Sequence, residues 1–464
     1  MFRFYLNGVR NEYHFEELAR EFISDSDFEI LPIQLNGAED IKLTGNSYLL
    51  NSNNTEDTDG IKRELYGILA GITGIHPGWG TLTGVRPLKL ARMHYDVEGE
   101  VTAAMQTMKE RYLISDSKAE LLEEILRYQL SHIREPEPDR YSLYIGIPFC
   151  PSRCSYCAFA SNVAAPDKIE DYVRYLIREI RYTGELLRDS GKQVESIYIG
   201  GGTPTTLNPE QITDVIETLY DAFRVTPGSM EFTVEAGRPD TIDSEKLKVI
   251  RSLGIDRISI NPQSMKDETL RKIGRSHTAK DIARAFNEAA SIGFDTINSD
   301  VIAGLPDETE DDFADTLRKL LDLGANNITV HTLSVKRGSR LREQDETYYR
   351  HNVDPVRQML DLSREYLKEQ GFCPYYIYRQ KHQIGALENV GYCRENRHSL
   401  YNVRIMEEKQ TIVGMGAGAI GKRYFPAEDR LERVPNVSNY EIYEERFDEM
   451  LARKNKYLGG ENGN

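Results

Sequence analysis

The most informative stretch of the chain is Tyr144-Ile-Gly-Ile-Pro-Phe-Cys-Pro-Ser-Arg-Cys-Ser-Tyr-Cys-Ala-Phe159, in which Cys150, Cys154 and Cys157 fall within eight positions. Only five of the 464 residues are cysteine, so chance clustering is a poor explanation. Thiolates on a compact loop can hold an iron–sulfur cluster. Three ligands on a four-iron cubane leave one iron open to an exogenous molecule. The spacing therefore predicts a [4Fe-4S] cluster with an open iron.

Two other interpretations of the cysteine spacing are a zinc knuckle and buried structural thiols. Zinc usually takes a fourth protein ligand nearby, and no further Cys or His follows closely in the sequence. Phe149, Tyr156 and Phe159 are expected to pack around the loop and limit solvent access. The ligand count and spacing favour the cluster.

Composition limits the classes of protein to which the chain can belong. Its length suits two or three domains, and no run of 18 apolar residues predicts a membrane span. The formal charge of −16 disfavours nonspecific nucleic-acid binding. Five cysteines without a paired framework and the absence of a secretory signal indicate a reducing, cytoplasmic setting. An anionic substrate would need a local basic pocket.

Three regions are predicted: residues 1–135, mixed α/β; 136–340, a core; and 341–464, α+β. The acidic, proline-containing stretch Glu135–Asp139 separates the first two. The core alternates strands with amphipathic segments, which indicates a parallel sheet with right-handed crossovers. Six units are too few for a closed barrel, so we expect a partial (β/α)6 barrel with its chemistry at the C-terminal strand ends. The predicted strands are Leu143–Pro148, Val194–Ile199, Glu231–Glu235, Asp256–Ile260, Ile297–Ala303 and Asn327–Leu333.

The flanking regions carry weaker signals. We expect helices at Leu121–Ile133 and Pro355–Glu369, strands at Tyr375–Arg379 and Tyr401–Ile405, and an amphipathic tail at Ser438–Leu451. Asn51–Asp59 is predicted to be a polar loop, and the residues after Leu458 to be frayed.

Polar motifs follow the predicted core strands. Consecutive glycines at 200–202 expose backbone to close approach by a ligand, although a tight turn gives the same pattern. Glu235 and Gln263 stand at the next strand ends, where a solvated acid or amide is the ordinary alternative. Arg275 suits a carboxylate ligand, whereas most arginines simply face solvent. Asp300 interrupts an apolar strand and therefore needs a partner.

Together these motifs resemble the oxygen-independent coproporphyrinogen oxidase family of radical S-adenosylmethionine (SAM) enzymes. The resemblance covers most of 144–306: the tyrosine six residues before the first cysteine, the cysteine loop, Gly-Gly-Thr-Pro-Thr, and Asp300-Val-Ile-Ala-Gly-Leu-Pro306. The flanking motifs Thr83-Gly-Val-Arg-Pro87 and several within Tyr375–Gly421 are similar to the HemZ-type coproporphyrinogen dehydrogenase branch. The resemblance thus touches nearly the whole chain.

The resemblance implies a radical SAM core in which Cys150, Cys154 and Cys157 hold the cluster. It implies a SAM site shaped by Gly201, Gly202, Thr203, Glu235, Gln263, Arg275 and Asp300. It also implies a second SAM near Tyr144 and Ile302, with Tyr144 as catalytic residue. A deoxyadenosyl radical would take a β-hydrogen from a propionate, and loss of CO2 and one electron would leave a vinyl group, twice per substrate. An electron donor of flavodoxin or ferredoxin type and a monomeric enzyme are expected.

Two departures from the family pattern bear on the branch. Some members carry a fourth cysteine where this chain has Phe159. The haem-chaperone branch also has Phe there, but its core starts near the N-terminus. About 140 residues precede the core here, judged from the linker position, which favours the HemZ-type branch.

The third region holds the densest basic set, which predicts contacts to the four substrate carboxylates by Arg379, Lys381 and Arg404. Tyrosines interleave these residues and suit a flat macrocycle, although strand tyrosines beside a basic surface give the same pattern. Arg86 in the first region is a weaker candidate.

A second function class is a haem-binding or haem-trafficking protein that keeps the cluster. Its candidate axial ligands are His277, His331, His382 and His398, although a lone histidine is more often structural. A third class is radical-driven modification of haem. Resemblance of fold does not separate these classes.

Overall fold

The computed structural model describes residues 1–34, 45–51, 58–157, 162–335, 353–381 and 383–459. Phe159, His382, residues 52–57 of the predicted polar loop, the predicted boundary at 340 and the tail from residue 460 lie outside these ranges. No helix among the described residues is long and apolar enough to cross a membrane.

The first region begins with a small parallel sheet in the order β2-β1-β3. Its own hydrophobic core gathers residues between Phe4 and Ala70. The elements are β1 (Phe2–Asn7), α1 (Tyr13–Arg20), β2 (Phe28–Ile33), β3 (Ser47–Asn51) and α2 (Thr58–Thr73).

Three helices follow and pack on the main core. Buried residues from Trp79 to Leu126 belong to the same hydrophobic cluster as the central strands. The predicted helix at Leu121–Ile133 is confirmed as part of the third of these helices. The helices are α3 (Pro87–Glu98), α4 (Val101–Tyr112) and α5 (Asp116–His132).

The middle region is a parallel, partly closed barrel, as predicted. Its six strands pair in chain order and all run parallel. All six predicted core strands are confirmed, with shifts of a few residues at their ends. The elements are β4 (Arg140–Ile147), α6 (Pro166–Leu187), β5 (Gln193–Gly201), α7 (Pro209–Phe223), β6 (Glu231–Gly237), α8 (Ser244–Ser252), β7 (Arg257–Ile260), α9 (Asp267–Lys272), α10 (Ala279–Ile292), β8 (Thr296–Ala303), α11 (Glu310–Asp322) and β9 (Asn327–Thr332).

The third region extends this sheet at both edges to eleven strands among the described residues. An antiparallel strand pair joins β9, and a strand parallel to β4 leads into a two-stranded antiparallel edge. The elements are α12 (Val353–Glu369), β10 (Cys373–Arg379), β11 (Glu388–Cys393), α13 (Leu400–Glu407), β12 (Thr411–Met415), β13 (Ile420–Phe425), β14 (Arg430–Pro435), α14 (Tyr440–Glu445) and α15 (Phe447–Leu458).

The predicted strand at Tyr401–Ile405 is wrong, because these residues form helix α13. The Ser399 side chain accepts a hydrogen bond from Asn402 N, which caps the first turn. The Glu231 carboxylate accepts hydrogen bonds from the Leu400 and Tyr401 amides at 2.7 and 3.0 Å. These contacts satisfy amides that the start of a helix leaves open. Since Glu231 begins β6, α13 lies across the N-terminal ends of the barrel strands.

Buried polar contacts tie the first region to the sheet. Glu388 of β11 is 2% exposed. Its carboxylate accepts hydrogen bonds from Lys118 Nζ at 2.5 Å and Trp79 Nε1 at 2.8 Å. Arg379 of β10 pairs with Glu21 at 2.9 Å. The domain boundary at residue 135 stays a prediction. Charged groups on its two sides bind each other directly.

Candidate cofactor cleft

A cavity of about 380 Å³ opens at the C-terminal ends of the barrel strands. All residues predicted for cofactor binding line it, although they come from five successive strands, β4 to β8, and the connections that follow them. They are Tyr144, Cys150, Cys154, Cys157, Gly201, Gly202, Thr203, Glu235, Gln263, Arg275, Asp300 and Ile302.

The glycine run positions the cysteine loop by backbone pairing. Gly202 N donates to Ile147 O, and Thr203 N donates to Phe149 O, both at 2.7 Å. A Cβ atom on Gly202 would stand 2.4 Å from the Phe149 carbonyl oxygen, so no larger residue fits without moving the loop. The glycine therefore allows close backbone packing beside Cys150, and the approach of a ligand to this run stays a prediction.

Arg238 is a cleft residue that the sequence reasoning missed. Its guanidinium donates to the Ser152 carbonyl at 3.0 Å and lies 3.9 Å from Cys154 Sγ, so it crosses the cysteine loop. Asp240 holds its other side at 2.8 and 3.0 Å. Arg238 therefore holds the cysteine loop against the end of β6. The available signal was its place directly after Gly237, at the end of β6.

The cysteines fit a cluster with three protein ligands. None of the three is in a disulfide, and Cys150 Sγ lies 3.4 Å from the Thr203 hydroxyl. No three His, Cys, Asp or Glu side chains among the described residues are gathered closely enough for a single metal ion. Three cysteines on one loop that lines the cavity are the donor set that a cubane with one open iron needs.

Glu235 is an acid whose protonation changes near neutral pH. Burial raises the pKa of Glu235 to about 7, opposed by a hydrogen bond from Tyr198 and reinforced by the charge of Asp300. The Tyr198 hydroxyl donates to Glu235 Oε1 at 2.5 Å. A cationic ligand in the cleft would favour the ionised form.

Asp300 behaves in the opposite way. Burial alone would raise its pKa, but His331, with hydrogen bonds from Asn298 and Thr329, brings the pKa of Asp300 below its usual value. His331 Nε2 lies 3.6 Å from the Asp300 carboxylate, and Asn298 Nδ2 donates to it at 3.0 Å. On the far side, His331 Nδ1 lies 3.1 Å from the Tyr378 hydroxyl. Asp300 therefore offers a stable negative charge to the cavity.

Several buried polar atoms of the cleft have no hydrogen-bond partner among the described residues: Arg275 Nε, Gln263 Oε1 and Asn298 Oδ1. Each of these three residues is at most 8% exposed. Buried polar groups are normally paired, and all three residues line the cofactor cavity, which favours a polar ligand there. The other nitrogens of Arg275 are used, donating to Asn261 O at 2.7 Å and Tyr156 Oη at 3.0 Å.

Gln263 also carries backbone strain. Its φ of 70° lies in the left-handed region that non-glycine residues seldom adopt. The conformation is fixed on both sides, since Gln263 N donates to Asp300 O and Ile302 N donates to Gln263 O. Such strain is common at ligand sites, where surrounding structure holds it in place.

Three tyrosine rings stack at the inner end of the cleft. The centroid of Tyr198 lies 6.2 Å from that of Tyr144 and 4.7 Å from that of Tyr401. Burial raises the pKa of Tyr144 well above its usual value, so its phenol keeps its proton at neutral pH. Tyr401 comes from α13, which the sequence did not predict as a helix.

The predicted basic set does not line the cleft. Arg379 is 5% exposed and is bound by Glu21 and by the Leu82 carbonyl. Arg404 is 1% exposed and pairs with Glu195 at the opposite end of the barrel. Lys381 Nζ lies 4.3 Å from the centroid of the Tyr13 ring. The two arginines therefore act as internal structural cations in this geometry.

The candidate haem ligands separate in space. His277 is buried, with Nδ1 3.4 Å from Asp240. His398 Nδ1 lies 3.2 Å from the Tyr128 hydroxyl, away from the cleft. Only His331 lines the cavity among the described candidates.

The chain is similar to known proteins in sequence and in fold. The family model for the radical SAM superfamily matches residues 144–320. The chain is 39% identical to the oxygen-independent coproporphyrinogen-III oxidase-like protein HemZ of Bacillus subtilis, over 84% of this chain and 79% of that protein. It is 31% identical to the heme chaperone HemW of the same organism, over 60% of this chain and 70% of that protein. The solved structure of Escherichia coli coproporphyrinogen III oxidase (HemN), a radical SAM enzyme, matches with a TM-score of 0.53 and 23% identity, over 70% of this chain and 73% of that one.

Proposed function

This chain belongs to the radical SAM superfamily, within the family of oxygen-independent coproporphyrinogen-III oxidase-like proteins, and we propose that it decarboxylates coproporphyrinogen III oxidatively to protoporphyrinogen IX. Membership implies a [4Fe-4S] cluster and SAM as cofactors. When bound, they supply one-electron chemistry that removes hydrogen from carbon. The residues of the chain hold these groups, exclude water and set the local charge.

One observation carries the cofactor part of the proposal: three residues with buried, unpaired polar atoms line the same cavity as the three cysteines. Arg275 Nε is a donor suited to the SAM carboxylate. Gln263 and Asn298 offer acceptor oxygens for its amino or hydroxyl groups. Glu235 and Asp300 supply negative charge for a cationic sulfonium compound. This complementarity supports SAM binding in the cavity that the cysteines also line.

The substrate part of the proposal rests on the outer wall of the cleft. The rings of Tyr376 and Tyr378 stack in parallel, 6.2 Å apart, and both line the cavity. Flat aromatic faces suit a tetrapyrrole. We also propose a second SAM beside Tyr144 and Ile302, which line the same cavity, and a small electron-transfer protein as the source of electrons.

A second candidate function is haem binding. The similarity to heme chaperones favours it, as does the position of His331 in the cleft. His331 already contacts Asp300 and Tyr378, so axial ligation would break one of these contacts. The oxidase proposal requires no such rearrangement.

The test is anaerobic turnover by the reconstituted full-length protein with coproporphyrinogen III, SAM and a chemical reductant. We expect CO2, deoxyadenosine and protoporphyrinogen together, with the mono-decarboxylated porphyrinogen as intermediate. The Cys154→Ala variant is the matched control and should form none of them. Stoichiometric haem binding that His331→Ala abolishes, without decarboxylation by a protein with intact cluster and SAM cleavage, would establish the haem carrier instead.

A further inference from the structure

A second cavity lies where the first region meets the edge of the sheet. It measures about 280 Å³ and is lined chiefly by the turn from Leu82 to Pro87, by Lys89 and by Glu408. This turn contains the Thr83–Pro87 motif, which the cofactor cleft does not use. Its charged residues are two cations, Arg86 of the turn and Lys89 of α3, and one acid, Glu408 at the end of α13.

Positive charge exceeds negative charge around this cavity. Arg86 Nη1 lies 2.7 Å from a Glu408 oxygen, and Lys89 Nζ lies 3.7 Å from the other. Lys422 Nζ on β13 is 3.3 Å from the same carboxylate. Arg433 on β14 pairs directly opposite Lys422 in the strand register. Three cations thus share the Glu408 carboxylate, and Arg433 adds a fourth positive charge beside Lys422.

The neighbouring acids do not restore the balance, because other cations bind them. Asp96 pairs with Arg92 at 3.0 Å and with Lys409 at 3.2 Å. Glu135 is also held by Arg92. These acids and bases balance among themselves and leave the excess at the cavity unchanged.

The excess charge is partly buried, which makes it costly. Lys422 is 6% exposed, and Arg86 Nε is buried with no hydrogen-bond partner among the described residues. Burial, and after it the charges of Arg86 and Arg433, lower the pKa of Lys422 to about 8. Like charges directly opposite on paired strands destabilise a sheet. A bound anion would remove each of these penalties.

We propose that this cavity binds a multivalent oxyanion, either a phosphate group or clustered carboxylates, against Arg86 and Lys89, which line it. Lys422 and Arg433 of the third region add positive charge next to these two side chains. Lysine and arginine are the usual protein partners of phosphate and carboxylate. The site is separate from the cofactor cleft and does not depend on the proposed function.

The test measures thermal unfolding and titration calorimetry of the full-length protein with sodium pyrophosphate and with sodium citrate, each against NaCl of equal ionic strength. We expect a saturable rise in Tm with at least one multivalent anion. Arg433→Ser removes an exposed cation without disturbing the core and should weaken binding about fivefold, the upper range for an exposed pair. The matched control is Arg430→Ser on the same strand, where the arginine pairs with Glu428 and Glu432; its affinity should be unchanged.

The Glu408→Gln variant distinguishes two explanations: the cations form an anion site, or they only neutralise Glu408. For an anion site, removal of the single acid should tighten binding about fivefold. Preference for pyrophosphate identifies the phosphate source, and preference for citrate the carboxylate source. The proposal is overturned if neither anion exceeds NaCl, if Glu408→Gln weakens binding, or if the two arginine variants respond alike.

Discussion

The two ends of the barrel differ in the surroundings of their buried polar side chains. At the cofactor end, buried atoms of Arg275, Gln263 and Asn298 lack partners, and Gln263 is strained. At the other end, Arg404 donates to Glu195 at 2.8 and 3.0 Å, and Glu231 receives the first amides of α13. Charge is buried at both ends, and a buried atom without a partner, Arg257 Nε, also occurs at this other end, which we call the support end. The cofactor end differs because its residues with unpaired atoms line a cavity, whereas Arg257 does not line it.

The largest effect is expected where the cofactor end loses a cluster ligand. Cys154→Ala should remove nearly all iron from the reconstituted protein, because two thiolates rarely hold a cubane. Its thermal unfolding before reconstitution should match that of the wild type. Cys373→Ala is the control and should keep its iron, since Cys373 is outside the cleft. Equal iron loss in both variants would show a four-cysteine site. Iron and sulfide analysis measures the result.

The support end should respond in stability and not in ligand binding. Arg404→Met leaves the Glu195 carboxylate without its bidentate partner and should lower the free energy of unfolding by about 3–5 kcal/mol. SAM affinity of the folded protein should stay unchanged. Urea denaturation and calorimetry test both statements.

The matched control at the support end is Lys368→Met, which breaks a pair with Glu124 in which Lys368 is 66% exposed. Its cost should be at most about 1 kcal/mol. If Arg404→Met costs no more than this control, or weakens SAM binding selectively, the contrast between the ends is wrong.

An intermediate effect is expected from Arg275. Arg275→Ala should weaken SAM binding by about 1.5–3 kcal/mol, the range for hydrogen bonds to charged groups. Arg275→Lys should recover only part of the SAM affinity, because lysine lacks the planar guanidinium group that binds a carboxylate through two hydrogen bonds. Arg271→Ala, at an exposed position four residues earlier, should bind SAM normally. Unchanged affinity in Arg275→Ala would contradict the assignment of its open Nε to SAM.

The smallest effect is a pH dependence centred on Glu235. Since burial raises the pKa of Glu235 to about 7, its ionised form grows between pH 6 and 8. SAM binding should then strengthen by up to about tenfold, roughly one pKa unit of interaction. Glu235→Gln should flatten that profile. Calorimetric titrations at several pH values provide the measurement.

Stability of the ligand-free protein should move in the opposite direction. A raised folded pKa contributes stability that is fully present below the unfolded value of 4.5 and is lost as pH rises through about 7. Burial also raises the pKa of Glu21 and Glu308 to about 7, so the relevant quantity is the difference between wild type and Glu235→Gln. A difference that does not change with pH would place the pKa of Glu235 elsewhere.

The sequence predicts the cofactor end well and the support end poorly. Six strands and the residues that follow them could be read from local alternation, because the C-terminal ends of parallel strands meet at one edge. Cys150 and Gly202 occupy such positions. The assignment of SAM to this end stays a prediction until it is measured.

The roles of the basic residues were harder to predict, because their partners are remote in sequence. Arg404 pairs with Glu195, 209 positions away, and Arg379 pairs with Glu21, 358 positions away. No local pattern distinguishes a cation that faces a substrate from one that faces an acid from another region. The same holds for α13, whose short apolar alternation suits a strand until Glu231 binds its first amides.

The ties of Glu388 and Arg379 to the first region have a consequence for gene architecture. A shortened gene starting at the barrel would leave Glu388 without Lys118 and Trp79, and Arg379 without Glu21, since all three partners precede residue 135. A lone buried charge costs several kcal/mol, so such a deletion could persist only with compensating substitutions. Related chains that begin at the barrel should therefore carry uncharged residues at these two positions, which makes the pair a marker of whether the leading segment was ever present.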